Sequence, residues 1–71
     1  MKQTTLKKYK HYQGIDGRFY APQSCLYRKE GGDFLIVEVM DGDKFKHIVM
    51  HLKELKKVLG ITEKKGVIVC D

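Results

Sequence analysis

His11, His47 and His51 are the side chains of this chain best suited to exchanging protons near neutral pH. Cys25 and Cys70 are its soft ligands and potential nucleophiles. His47 and His51 stand four apart, a spacing that would bring two metal ligands together on a helix. They fall instead at the end of an extended run, so the spacing carries no such geometry. Neither cysteine has a second close ligand of the C-x2-C kind, and no metal or cofactor is expected. His47 could face Glu38 across a hairpin, where the carboxylate would orient an imidazole acting as a general base. The same pair reads equally as a polar cross-strand contact. No nucleophile motif, P-loop or dinucleotide fingerprint is present, so the expectation is a non-enzymatic protein, with a small RNase-type activity as a third reading.

A second cluster concerns binding. The stretch "LKKYKHYQG", residues 6–14, interleaves Lys7, Lys8 and Lys10 with Tyr9 and Tyr12, and Arg18 and Tyr20 continue the mixture. Lysines neutralise phosphates, and tyrosine rings stack on unpaired bases. Residues 1–18 hold five cations (Lys2, Lys7, Lys8, Lys10, Arg18) against Asp16, a net +4 of the chain's +5. Lys7, Lys8, Tyr9, Lys10, Tyr12, Arg18, Tyr20 and Lys46 are therefore the expected nucleic-acid contacts, whether single-stranded or duplex.

These residues need a scaffold. At 71 residues the chain makes one domain, with 1–13 as a basic, aromatic arm or edge strand. Hydrophobic content of 42% against 32% charged places it among folded proteins. "SCLYRKE", "DFLIVEVM" and "DKFKHIVM" are rich in strand-favouring types and are separated by Gly31-Gly32 and Asp41-Gly42 or Gly42-Asp43. Strands are predicted at 24–30, 33–40 and 43–50, with a shorter one at 17–21 closed by Pro22. "HLKELKKVL" then switches period: Leu52, Leu55 and Leu59 line one helical face, and Gly60 can terminate the helix with Ile61 folding back. "VIVC" reads as a final strand buried on both faces, paired in parallel with 43–50 through a right-handed crossover or else antiparallel at an edge. The expected class is α+β: an antiparallel sheet of four to five strands around a double hairpin, one helix on one face, and a short last strand.

Two-residue turns fix parity. With Gly31-Gly32 as the turn, Tyr27 would oppose Ile36 and Leu26 would oppose Val37. One face collects Leu26, Leu35, Val37, Val39, Ile48 and Met50 and suits the leucines of the helix. The other collects Tyr27, Phe34, Ile36, Met40, Phe45, His47 and Val49, with Lys29 and Glu38. That aromatic face needs cover from residues 1–21, a protein partner, or bases. Tyr27, Phe34 and Phe45 are accordingly the expected protein-interaction residues, in a homodimer or in a small inhibitor or regulator of the kind phages and mobile elements encode.

The order of three strands and a helix over residues 24–59 is similar to that of two DNA-binding modules. One is the single-stranded-DNA coactivator type; the other is the arm-binding domain of phage and transposon integrases. No run reaches the roughly 18 apolar residues of a membrane span. No apolar stretch of about 7–15 residues follows the basic start, as a secretory signal requires. The expectation is thus a cytoplasmic protein with both cysteines reduced.

Overall fold

In the computed structural model, which describes residues 5–62 and 67–69, both turns that organise the sheet are two residues long. Eight elements follow in chain order: β1 (Thr5–Leu6), β2 (Tyr12–Gln13), β3 (Phe19–Pro22), β4 (Tyr27–Lys29), β5 (Gly32–Asp41), β6 (Lys44–His51), α1 (Leu52–Val58) and β7 (Ile68–Val69). Gly42-Asp43 joins β5 to β6, with Gly42 at φ 68°. Glu30-Gly31 joins β4 to β5, with Gly31 at φ 98°. The ten-residue β5 is the spine of a curled antiparallel sheet. Along one side it pairs β3 and then β4; along the other it pairs β6 over its whole length. The short β2 extends the sheet beyond β3.

The first turn is one residue earlier than expected, so Tyr27 opposes Phe34 rather than Ile36. The shift is by two residues in pairing, which leaves every side chain on its expected face. Its cause lies across the sheet. Gly32 is the first residue of β5, at φ 131°, and a Cβ there would stand 2.6 Å from Nε2 of His51. The second glycine makes room for an imidazole instead of forming the turn.

That imidazole starts the helix. The sequence offers no Ser, Thr, Asp or Asn at the N-cap, yet His51 takes the position at φ −72°, ψ 141°. Its Nδ1 accepts the Lys53 N–H at 3.1 Å, and its Nε2 donates to the Gly31 carbonyl at 2.9 Å. Its ring also meets Phe34 edge-on, with centroids 4.7 Å apart. His51 is thereby spent on structure. Replacing it with alanine is expected to cost about 1 kcal/mol through the lost cap. His51→Asn is expected to recover part of that, as read from urea midpoints. The helix closes as anticipated, with Ile61 N–H donating to Lys56 O and Gly60 N–H to Lys57 O at its C-terminal end.

Leu35, Val37, Val39 and Met50 of the sheet, Leu55 of α1, and Leu6, Tyr20, Val67 and Val69 form the core. Two expectations about the chain ends are corrected. β7 pairs in parallel with β1, not with β6. Nor is it buried on both faces: Val67 and Val69 point inward, but Ile68 is 46% exposed. Pro22 is not outside the strands either. It ends β3 opposite Val37, and its carbonyl accepts the Tyr9 N–H at 2.7 Å.

Candidate nucleic-acid interface

Residues 7–11 leave the sheet between β1 and β2. Leu6 anchors the near side in the core. Tyr9, at φ 66°, makes the reversal, and its N–H is tied to Pro22. The Tyr12 hydroxyl accepts the Lys7 N–H at 2.9 Å. Because these fastenings are to backbone, the side chains are turned out. Lys7 and Lys10 are exposed, and Tyr9 is 62% exposed with Lys8 Nζ 5.6 Å from its ring centre. The arm therefore presents Lys7, Lys8, Tyr9 and Lys10 together, beyond the β2–β3 edge of the sheet and fastened to the end of β3 at Pro22.

The other expected contacts divide. Tyr20 is 3% exposed, and its hydroxyl donates to Asp16 Oδ2 at 2.6 Å, so its ring is closed to a base. Burial raises its pKa, and the Tyr20 hydroxyl lowers that of Asp16. Tyr12 is half-buried against the core, with Lys10 Nζ 5.5 Å from its ring centre. Arg18 lies between two carboxylates: its Nε donates to Asp41 Oδ2 at 3.3 Å, and Nη1 sits 3.7 Å from Asp16 Oδ2. The Asp41 bond holds the guanidinium pKa further up. Tyr20 thus serves the fold and Tyr12 leans on the core, while Arg18 is paired but its side chain stays 51% exposed. Lys46 stands on the opposite sheet edge, lining a shallow depression with Arg18, Val39, Asp41, Lys44 and Phe45.

Between those edges the aromatic face is open. Phe45 is 65% exposed, Val49 55%, Phe19 42%, and Ile36 and Tyr27 each 37%. The register sets them in rows: Phe19–Met40–Phe45, then Ala21–Glu38–His47, then Ile36–Val49, then Tyr27–Phe34–His51. Among the described residues, 5–21 do not cover this surface as one reading expected: β3 joins it as a strand, and His11 reaches onto it from the arm.

That reach joins two histidines through one carboxylate. Glu38 Oε1 lies 3.2 Å from His11 Nε2, and Oε2 lies 3.3 Å from His47 Nε2. Extending the β2–β3 register puts His11 opposite Ala21, whose side chain is too short to separate the imidazole from Glu38. The Glu38–His47 pairing was foreseen; His11 was not. Its signal was parity with Gln13 together with a methyl-sized neighbour, and both needed the β2–β3 register.

Cys25 is disulfide-bonded, so the expected free thiol is corrected, while Cys70 lies outside the described residues. Disulfides persist in oxidising settings, which removes one support for the reducing compartment expected above. Among the described residues, no three His, Cys, Asp or Glu side chains are grouped to hold a metal, and no helix is long and apolar enough to cross a membrane. No protein-family model, curated protein or solved structure matches this chain.

Proposed function

We propose that this protein binds single-stranded nucleic acid across the open face of its sheet, with the 7–10 arm holding phosphates along one edge. One observation carries this: exposed Phe19, Phe45 and Tyr27 lie on a single face, beside the arm that carries exposed Lys7 and Lys10 and half-buried Lys8. Aromatic rings on a sheet face meet the faces of unpaired bases, whereas a duplex keeps its bases stacked on one another. Lysines beside such a platform supply the sequence-independent attraction.

A protein partner fits a different feature. β6 pairs β5 on one side only among the described residues, and its free edge could accept an added strand. A partner docked on the open face instead would bury Tyr27, Phe34 and Phe45.

Fluorescence anisotropy with labelled single-stranded and duplex oligonucleotides over a salt series separates the two. Single strands are expected to bind tighter than about 10 μM at low salt. The log–log salt slope should be about −2 to −3, matching three or four lysine–phosphate contacts at ~0.7 each. A flat slope, or a preference for duplex, would reject the proposal. A dimer seen by light scattering without oligonucleotide binding would favour the protein partner.

A further inference from the structure

We propose that His11, Glu38 and His47 form an acid–base site that cleaves RNA by attack of its own 2′-hydroxyl, so that the open face is a ribonucleolytic surface and not only a binding one. This inference rests on the single-strand reading above and names its substrate.

His11 comes from the end of the arm just before β2 and His47 from β6, yet the two imidazoles lie in one row, each with a ring nitrogen on a different oxygen of the same carboxylate. Glu38 is the shielded member, with its side chain 20% exposed, against 44% for His11 and 53% for His47. The proton-exchanging groups are thus the open ones, and the group that orients them is tucked beneath. Glu38 uses both Nε2 atoms, which leaves each Nδ1 to face a ligand. No other carboxylate of β4, β5 or β6 shares this face: Asp33 and Asp41 fall on the opposite parity, as do Arg28, Lys44 and Lys46, and the one lysine of these strands on this face, Lys29, sits over Phe34 at 5.5 Å. His51 is held by Gly31 and Lys53. The row is flanked by Phe19, Met40 and Phe45 on one side and by Ile36 and Val49 on the other. Bases stacked on those flanks would place their linking phosphate over the histidines.

Phosphoryl transfer with attacking and leaving oxygens in line needs proton transfer on both sides of phosphorus. One imidazole takes the proton of the 2′-hydroxyl while the 2′-oxygen forms a bond to phosphorus. The P–O5′ bond breaks, and the other imidazole, protonated beforehand, gives its proton to O5′. The products are a 2′,3′-cyclic phosphate and a 5′-hydroxyl, and exchange with water restores the two histidines. No further reactant is consumed. DNA lacks the internal nucleophile and is bound but not cut. His11 and His47 are the catalytic residues, and Glu38 is a positioning residue.

The test incubates the full chain, in the presence of a chelator, with a fluorescent single-stranded RNA, and with the same oligonucleotide carrying 2′-deoxyribose throughout. Binding and cleavage are followed in parallel. RNA alone should be cut, giving cyclic-phosphate ends. His11→Ala and His47→Ala should each lower the rate at least about 100-fold while leaving affinity within a few-fold, because both side chains are exposed and outside the core. Glu38→Gln, which keeps shape and loses charge, should move the pH–rate profile and not merely scale it. RNA bound but left intact would overturn the catalytic assignment and leave the binding proposal standing. Cleavage undiminished in the His11→Ala/His47→Ala double variant would also overturn it. Absence of binding would remove both.

Discussion

Replacing Leu55 with alanine is expected to cost about 3 kcal/mol, within the roughly 2–5 kcal/mol seen when buried leucines are truncated. Leu55 is the one fully buried residue of α1, at 0% exposure, and it meets sheet residues Leu35, Val37 and Met50 in the core. Alanine favours helix slightly more than leucine, so the loss comes from the cavity and not from the helix backbone. At roughly 0.05–0.15 kcal/mol per residue, a chain of this length has about 4–10 kcal/mol in total. The variant therefore forfeits roughly 30% or more of its stability. Melting should fall by about 12–24 °C, since small domains lose roughly 4–8 °C per kcal/mol. Leu52, only half-buried, serves as the contrast and should cost distinctly less on truncation. Urea denaturation followed by circular dichroism measures both. A Leu55→Ala loss below about 1 kcal/mol would mean that the helix does not seal the core.

The second large effect concerns binding. Changing Lys7, Lys8 and Lys10 together to alanine should flatten the salt slope by about 2, at ~0.7 per phosphate contact. Low-salt affinity for single strands should drop about 10- to 100-fold. Stability should hardly change, because the arm is fixed through backbone: the Lys7 N–H to Tyr12 and the Tyr9 N–H to Pro22 survive the substitution. Phe45→Ala tests the platform separately. Base stacking on an aromatic ring is worth about 1–3 kcal/mol, so affinity should fall roughly 5- to 150-fold with an unchanged slope. The two variants thus act on different observables, one on salt dependence and one on affinity at fixed salt. A triple-lysine variant with the parent's slope would place the phosphate contacts elsewhere.

Parity made much of this legible before any coordinates. Side chains alternate in a strand, so two short turns assign every residue of 26–50 to a face whatever the fine register. A shift of two at the first hairpin therefore left both faces intact. The register itself depended on Gly32 yielding space to His51, a contact 19 residues apart that no local propensity encodes. The helix start was hidden for the same reason, because an imidazole capped it from a position that reads as strand. Tyr20 looks like a binding residue by type, and only Asp16 beside it gives it to the fold. His11 is the opposite case. It reads as one more polar residue in a basic stretch until β2 lies against β3 and Ala21 opens the way to Glu38.

The pairing of β1 with β7 has a thermodynamic meaning beyond topology. It joins positions about 60 residues apart, whereas each central hairpin closes over a two-residue loop. Loop closure costs about 0.6 kcal/mol per doubling of length, so in the chain with its cysteines reduced bringing these ends together costs about 3 kcal/mol more than closing a hairpin. Two residue pairs of ladder return little against that. Burial of Leu6, Val67 and Val69, at about 1.5–3 kcal/mol per side chain, more than offsets it. The seam that joins the two ends is held by three aliphatic side chains, and its hydrogen bonds only set the alignment. Its free energy is that of a packed surface closed against chain entropy, which makes it the part of the molecule that gains most from the rest being already folded.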